Sequence, residues 1–279
     1  MNIQRYKRFI TLGIVTLSVT SPVGAFAAST SRQDCRVPQT GLVSWWSGNG
    51  NARDRVGPND GTIEGSTTFA KGKVGKAFEF VSESDDVVVT NSTILDTQNN
   101  SFSLVAWVKP TGKRPDTTPN GGLDTGDQTI VSKYQLVGAT PATYIFRMGA
   151  DGRLTFFIRT EFGQSQLLIG ARDIADGKFH HVAAVRDIGA MTLNIYVDGA
   201  LDATAPLTVV DAVSTSLAAF RIGNRFAPPF AQEHFAGLID EVGYYSRALT
   251  QMDVGAINRA GKSGKCRADQ RDDDMPSDE

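Results

Sequence analysis

Short runs of β-branched and aromatic residues, separated by glycine, asparagine and aspartate, recur through most of this chain. The clearest run, residues 102–109, ends at a proline, which cannot donate a backbone hydrogen bond to a neighbouring strand. Residues 143–148 and 153–158 flank a Gly-Ala-Asp-Gly turn, and residues 192–197 end at an Asp-Gly pair suited to a tight hairpin. This spacing predicts an all-β chain folded as a sandwich or jelly roll, not as alternating strands and helices.

One helix is predicted, over residues 251–260 near the C-terminus. Thr250 suits the N-cap, Asp253 lies where a negative charge favours the helix dipole, and Gly261 suits the end of the helix. The predicted fold is therefore a two-sheet antiparallel jelly-roll sandwich with one short C-terminal helix.

Residues 1–28 have the pattern of a secretory signal peptide. Basic residues within the first eight positions precede an apolar run over residues 9–19, and Ala25-Phe26-Ala27 forms a small-residue cleavage site. The alternative is a transmembrane anchor, but the run is short for about 30 Å of hydrocarbon and contains polar residues. We expect a secreted, periplasmic or cell-surface protein with no membrane span after signal removal.

Charge narrows the class of partner. Removing the signal segment changes the formal charge from −2 to −5, which argues against nucleic acid or an anionic membrane held by bulk electrostatics.

Residues 35–266 are expected to form one domain, since β sandwiches reach this size as single units. The acidic tail, residues 267–279, has little to bury and is predicted to be disordered.

The chain has two cysteines, Cys35 and Cys266, just inside the two ends of the predicted domain. Export permits a disulfide, and one pair suits a single clasp joining the termini. Two free thiols are the alternative, and we expect the disulfide.

Six blocks of sequence follow one another in an informative order. They are Gly41-Leu-Val-Ser-Trp-Trp46, Gly72-Lys-Val-Gly-Lys-Ala-Phe-Glu-Phe80, Phe102-Ser-Leu-Val-Ala-Trp-Val-Lys-Pro110, Phe179-His-His-Val-Ala183, Leu193-Asn-Ile-Tyr-Val-Asp-Gly199 and Gly237-Leu-Ile-Asp-Glu-Val242 with Tyr245-Ser-Arg-Ala-Leu249. Together they resemble the LamG-like jelly-roll domains of the concanavalin A-like lectin/glucanase superfamily. The ordered set spans roughly residues 41–260 and departs at Phe179, where the family usually has tryptophan. The resemblance implies two curved antiparallel sheets, often with one calcium ion, in glycan-binding or adhesive modules. One scaffold hosts many functions, so it implies the fold more strongly than the ligand.

The resemblance also implies a structural calcium site. It suggests Asp54 and Asp240 as carboxylate ligands, with backbone carbonyls from Gly57 to Asp60 completing the oxygen shell. Glu241 is either a further ligand or a cap for its turn. In the alternative without an ion, Asp240 hydrogen-bonds loop amides and Asp54 forms a turn.

No catalytic constellation is evident in the sequence. His180 and His181 are adjacent, so on a strand they face opposite sides and cannot easily share a metal. Related glucanases carry alternating acids on one strand; here Glu83 and Asp85 begin that pattern, but Val87 replaces the third acid. These residues are better explained as a hairpin loop, and we expect no enzyme activity.

Aromatic residues are candidates for stacking on sugar rings. Phe226 and Phe230 flank two prolines in a loop, a rigid arrangement suited to a ligand, although plugging the core is equally compatible. Trp45 and Trp46 point to opposite faces of one strand, and we expect at least one of them to fill the core together with Trp107.

Three functions are compatible with these observations. The first is an exported, non-catalytic binding module for carbohydrate or an extracellular or cell-surface glycoconjugate. The second is a glycan hydrolase or lyase on the same scaffold. The third is a structural or adhesive protein-binding component of the envelope.

Overall fold

The computed structural model describes residues 37–90, 92–115, 126–134, 143–160, 162–210, 218–225 and 233–265. Several predicted features lie outside the described residues: the signal peptide, Cys35, Cys266, Phe226, Phe230 and the acidic tail. Among the described residues, no helix is both long enough and apolar enough to span a membrane.

Strands dominate the described chain, as the sequence predicts. In chain order they are β1 (Leu42–Trp46), β2 (Gly61–Glu64), β3 (Thr68–Lys71), β4 (Lys76–Phe80), β5 (Asp86–Val89), β6 (Phe102–Pro110), β7 (Gln128–Lys133), β8 (Thr143–Met148), β9 (Arg153–Arg159), β10 (Ser165–Asp173), β11 (His180–Asp187), β12 (Thr192–Val197), β13 (Ala200–Pro206), β14 (Phe220–Ile222) and β15 (Gly237–Tyr245). The helices are α1 (Gln251–Ala260) and two 3-10 helices, Thr93–Leu95 and Gly261–Ser263.

The strands form two antiparallel sheets. The eight-stranded sheet A has the order β13-β12-β11-β6-β15-β4-β3, with β1 also paired to β15. The seven-stranded sheet B has the order β10-β9-β8-β7-β14-β5-β2. The prediction of a two-sheet antiparallel sandwich with one short C-terminal helix is confirmed.

The main core lies between the sheets and is rich in aromatic rings. Trp46 of sheet A stacks on Phe220 of sheet B with ring centroids 4.9 Å apart. Phe102 contacts Tyr144 at 5.0 Å and Tyr244 at 6.1 Å. The Trp46–Phe220 and Phe102–Tyr144 contacts cross between the sheets, whereas Phe102 and Tyr244 both belong to sheet A. Each buried aromatic side chain removes a large apolar surface from water, so the cross-sheet contacts hold the two layers together.

A second apolar cluster covers the outer face of sheet A. It joins Trp45, Val105 and Tyr196 of the sheet to Val254 and Ile257 of helix α1. The two neighbouring tryptophans therefore serve different layers, because successive strand residues point to opposite faces. The prediction that one of these tryptophans fills the core is confirmed for Trp46. It was wrong for Trp107, which is buried on the outer face of sheet A beside His181 and not between the sheets.

Helix α1 has the predicted capping residues. The Thr250 hydroxyl accepts a hydrogen bond from the Asp253 backbone N–H, and the Asp253 carboxylate accepts one from the Thr250 N–H. Gly261 follows the helix with a φ of +52°, a backbone conformation that favours glycine. The reciprocal pair satisfies N–H groups that the first helical turn leaves without partners.

Strand β15 is continuous, with an irregular register between Asp240 and Gly243, where Glu241 has a φ of +55°. One local prediction was wrong. The segment around Glu83 is not a hairpin loop, because β4 belongs to sheet A and β5 to sheet B. It links the two layers of the sandwich.

Candidate functional site

The first predicted calcium ligand, Asp54, organises the loop that follows β1. Its Oδ1 accepts hydrogen bonds from the backbone N–H groups of Trp45 and Val56, at 2.9 and 3.0 Å. Its Oδ2 accepts one from Asn59 N–H at 3.2 Å. The Asp54 N–H in turn donates to Asp60 Oδ1 at 2.9 Å. These contacts are those of a carboxylate that shapes a turn.

Gly57 lies against the same carboxylate. A Cβ at this position would lie 2.6 Å from the Val43 carbonyl oxygen and 2.8 Å from Asp54 Oδ2, so only glycine fits without displacement. The structure therefore brings together three of the predicted residues, Asp54, Gly57 and Asp60.

The other predicted ligand, Asp240, lies on the outer face of sheet A, opposite Trp107 of β6. It is fully buried, and its Oδ2 accepts a hydrogen bond from Val74 N–H at 2.9 Å. Gly72 permits this approach, since a Cβ there would lie 2.6 Å from Asp240 Oδ2. Burial raises the pKa of Asp240 to about 8.

Asp240 belongs to a group that we call the outer-face cluster, made of Asp240, Glu241, Lys265 and His181. Lys265 donates its backbone N–H to Glu241 Oε2 at 3.1 Å and its ammonium to the Glu241 carbonyl. The Lys265 Nζ also lies 3.7 Å from Glu241 Oε2, and both side chains are almost completely buried. The His181 ring lies 5.3 Å from that of Trp107, and burial lowers the pKa of His181 to about 3.

These contacts bear on the predicted calcium site. Asp54 and Asp240 bind different backbone segments, and no described contact joins them. The Lys265 ammonium supplies positive charge beside Asp240 and Glu241. Within the described ranges, no three His, Cys, Asp or Glu side chains are grouped closely enough to hold a metal. Each carboxylate thus has a structural role without an ion, and calcium stays a prediction.

The acids considered for glycoside hydrolysis lie in the link between the two sheets. Glu83 is exposed, whereas Asp85 is fully buried and accepts hydrogen bonds from Val81, Ser82 and Ser66. Burial opposes ionisation, but these hydrogen bonds outweigh it and keep the pKa of Asp85 below its usual value. Asp85 therefore anchors its turn.

The adjacent histidines do not share a site. His181 is buried, whereas His180 contacts Asp198 through Nδ1 at 2.9 Å and Asp176 through Nε2 at 3.0 Å. Two carboxylates on one imidazole favour its protonated form. This arrangement joins two loops and leaves no ring nitrogen for a metal.

A cavity of about 450 Å³ opens at one end of the sandwich. It lies between residues 94–101, around the first 3-10 helix, and the segment that ends β15 and leads to α1. We call it the polar cavity; its lining includes Asp96, Thr97, Gln98, Asn100, Tyr244 and Arg247. Its volume falls within the range of about 300–1,000 Å³ that is usual for small-molecule sites.

A buried arginine holds one wall of the polar cavity. Arg186 of β11 is fully buried and donates Nη1 hydrogen bonds to the carbonyl oxygens of Gln98 and Asn100, at 3.3 and 3.2 Å. Its Nη2 donates to the Val209 carbonyl at 3.4 Å. Burial lowers the pKa of Arg186 to about 10, so the side chain stays charged at neutral pH. Arg186 therefore fixes the loop through the backbone of Gln98 and Asn100, which leaves these two side chains exposed.

An ion pair holds the same loop at its other end. Lys133 Nζ lies 3.1 Å from Asp96 Oδ1, and the two side chains are 1% and 4% exposed. The Tyr144 hydroxyl donates to the neighbouring Leu95 carbonyl at 2.9 Å. Burial lowers the pKa of Lys133, while Asp96 opposes this change. A buried, hydrogen-bonded pair of this kind fixes the geometry of the loop that carries it.

Arg247 connects the opposite wall to the helix. Its Nε donates to the Thr40 carbonyl at 2.8 Å, and its Nη1 lies 2.8 Å from Asp253 of the α1 cap. Nη2 has no hydrogen-bond partner among the described residues. No sequence pattern indicates this cavity, because its walls are more than 140 residues apart in the chain and follow no known spacing.

The profile of the Laminin_G_3 family, described as the Concanavalin A-like lectin/glucanases superfamily, matches residues 82–255. The chain belongs to this family. The match confirms the resemblance seen in the six sequence blocks. No curated protein sequence matches the chain.

Solved structures with the same concanavalin A-like fold include two kinds of protein. The binding domain of Paraclostridial Mosquitocidal Protein 1 is 13% identical with a TM-score of 0.61, over 78% of this chain and 52% of that domain. The receptor binding domain of botulinum neurotoxin C/D mosaic serotype is 14% identical with a TM-score of 0.58, over 79% and 51%. This chain thus spans about half the length of these toxin domains.

The other kind is a domain of an extracellular enzyme. Domain 4 of AbnA, a GH43 arabinanase from Geobacillus stearothermophilus, was solved in complex with arabinotriose. It is 24% identical with a TM-score of 0.55, over 77% of this chain and 96% of that domain. At these identities, all three likenesses establish the fold alone.

Proposed function

We propose that this protein is an exported, non-catalytic module that binds carbohydrate. The observation that carries the proposal is the match to domain 4 of the arabinanase, which this chain covers almost completely and which was solved with arabinotriose bound. A module of the same size and fold in an extracellular enzyme makes a sugar ligand the best-supported class.

The contacts of the described acids support a binding role over hydrolysis. Hydrolysis of a glycosidic bond needs two carboxyl groups facing each other across a cleft, about 5–9.5 Å apart. The buried acids are engaged elsewhere: Asp85 by turn amides, Asp96 by Lys133, Asp86 by Arg221 and Glu233 by Arg147 and Arg225. Carboxylates held in this way stabilise the fold.

Export follows from the signal-peptide pattern of residues 1–28, and a disulfide between Cys35 and Cys266 would suit that environment. The likeness to toxin binding domains favours a second candidate, adhesion to a receptor on a cell surface. The two candidate functions differ in whether a free oligosaccharide is sufficient for binding.

A glycan array with the purified protein, run once with calcium and once with EDTA, tests the proposal. We expect selective binding to a set of neutral oligosaccharides, and we expect titration calorimetry with arabinotriose or the best array ligand to give saturable binding. Incubation of the same glycans with the protein should release no new reducing ends. Absence of binding to every glycan in both buffers would overturn the proposal, and steady release of sugar would overturn its non-catalytic part.

A further inference from the structure

The polar cavity combines three properties of a ligand site. It is concave, with a volume of about 450 Å³, and polar side chains line it. Its wall is also fixed by Arg186 and Lys133, which are buried and do not line the cavity. A cavity of this kind loses little conformational freedom when a ligand enters, which favours affinity.

We propose that the polar cavity binds a short stretch of a neutral oligosaccharide. This inference rests on the proposed carbohydrate-binding function and names the site where that function resides. The occupant lies between the loop of residues 94–101 and the segment that follows β15.

The chemistry of the lining suits sugar hydroxyl groups. Each hydroxyl both donates and accepts hydrogen bonds, so a sugar needs donors and acceptors close together. Gln98 and Asn100 carry exposed carboxamides with two donors and one acceptor each. Tyr244 adds a hydroxyl that no described residue pairs with, and Arg247 adds the donors of Nη2.

The charges of the lining favour a neutral sugar over an acidic one. Arg247 is paired with Asp253 at 2.8 Å, and Asp96 is paired with Lys133 at 3.1 Å. The lining therefore carries no unbalanced positive charge that would select a carboxylate or sulfate group. Specificity would instead come from hydrogen-bond geometry, as in sites that reject analogues lacking one hydroxyl.

The strongest competing surface is the outer side of β9 and β10. Phe162, in the turn between these strands, is 73% exposed, and Leu167 and Ile169 are 46% and 45% exposed. An exposed ring can stack on a sugar, but polar groups and concavity are what fix a sugar's orientation. Phe162 therefore supplies the matched control.

Three cavity variants and one control test the inference by titration calorimetry, with the best array ligand as probe. Ser246→Trp places a large ring at an exposed position of the lining and should weaken binding at least tenfold. Asn100→Ala and Tyr244→Phe should each weaken it about two- to tenfold, the usual range for one hydrogen bond. Phe162→Ala should bind as the wild type does.

Thermal melting of the same variants distinguishes a loss of binding from a loss of folding. Asn100→Ala keeps the backbone carbonyl that Arg186 binds, and Tyr244→Phe keeps the ring packed on Phe102, so both should melt close to the wild type. If no glycan binds the wild-type protein, the proposed function itself fails. Two results would overturn the cavity as the binding site but leave the proposed function intact. In the first, the cavity variants bind glycan as well as the wild type does. In the second, Phe162→Ala alone loses affinity.

Discussion

The outer-face cluster and the polar cavity contain the same kinds of group, carboxylates, a basic side chain and aromatic rings, but only one of them is open. Lys265 closes the outer-face cluster by bonding to Glu241, and both side chains are almost completely buried. In the polar cavity, Asp96 and Arg247 of the lining are paired with Lys133 and Asp253, which lie outside the lining, and Gln98 and Asn100 are exposed. The two regions therefore differ in whether a ligand can reach their side chains, and not in the kinds of side chain that they contain.

This contrast also separates two uses of buried charge. In the outer-face cluster, Lys265 fastens the end of the described chain to the irregular region of β15. In the polar cavity, Arg186 and Lys133 fasten a loop whose Gln98 and Asn100 side chains remain exposed. Substitution of Lys265 should therefore change stability alone, and substitution of Arg186 or Lys133 should change stability and binding together.

The largest effect is expected for Lys265→Met. Removing the ammonium leaves the buried Glu241 carboxylate without its partner, and such a change lowers the free energy of unfolding by about 3–5 kcal/mol. Denaturant unfolding measures this loss, while glycan affinity well below the transition should stay unchanged. The double variant Glu241→Gln/Lys265→Met should recover part of the stability. A loss below about 1 kcal/mol for the single variant would show that the pair does not hold the C-terminal segment.

The next effect is expected for Arg186→Met. Carbonyl groups of Gln98, Asn100 and Val209 lose a buried donor, so we expect the free energy of unfolding to fall by about 2 kcal/mol. Glycan affinity should fall as well, although Arg186 does not line the cavity, because the loop would no longer be held. Arg186→Lys keeps the charge and should retain more of both. If Arg186→Met is destabilised but its glycan affinity is unchanged, the loop that Arg186 holds is not part of the binding site.

Asp54→Asn tests whether the Asp54 carboxylate stabilises the loop that follows β1. An asparagine has one acceptor oxygen where Asp54 uses both carboxylate oxygens for three backbone N–H groups, so we expect a loss of about 1–2 kcal/mol in EDTA. Thermal melting of both proteins in EDTA and in calcium gives the comparison. A calcium-dependent rise in wild-type Tm that Asp54→Asn lacks would bear out the ion predicted from sequence. Equal Tm values for the two proteins in EDTA would contradict the role assigned to the hydrogen bonds.

The smallest effect concerns His180, which is less buried than Lys265 and Arg186. Burial opposes its protonation, but the hydrogen bonds to Asp198 and Asp176 raise its pKa above the usual value. Because the folded pKa is the higher one, this stabilisation is present below about pH 6.5 and is lost as pH rises through the folded pKa. His180→Gln should therefore lower Tm slightly at pH 5 and less at pH 8.5. An equal decrease at both pH values would show that protonation of His180 does not contribute.

The sequence predicted the parts of the fold that local chemistry determines. Apolar runs identified β6, β8, β9 and β12, and the caps of α1 were visible as Thr250, Asp253 and Gly261. Edge strands such as β2 and β13 carried no comparable pattern, because few of their residues are buried. Their pairing depends on neighbours that a local pattern does not contain.

The candidate site was harder to predict for a related reason. Asp54, Gly57 and Asp60 are close in sequence, and their association was foreseen. Asn100 and Tyr244 share a cavity only because β6 pairs with β15, which is a tertiary contact. No sequence pattern predicted that Lys265 would be buried either, because its burial depends on the irregular region of β15.

A crystal structure of the protein soaked with its best array ligand would show where the sugar binds. We expect sugar density between residues 94–101 and Arg247, with hydroxyl groups within hydrogen-bond distance of Asn100 and Tyr244. Sugar density on the β9–β10 face beside Phe162, with the polar cavity free of ligand, would contradict it.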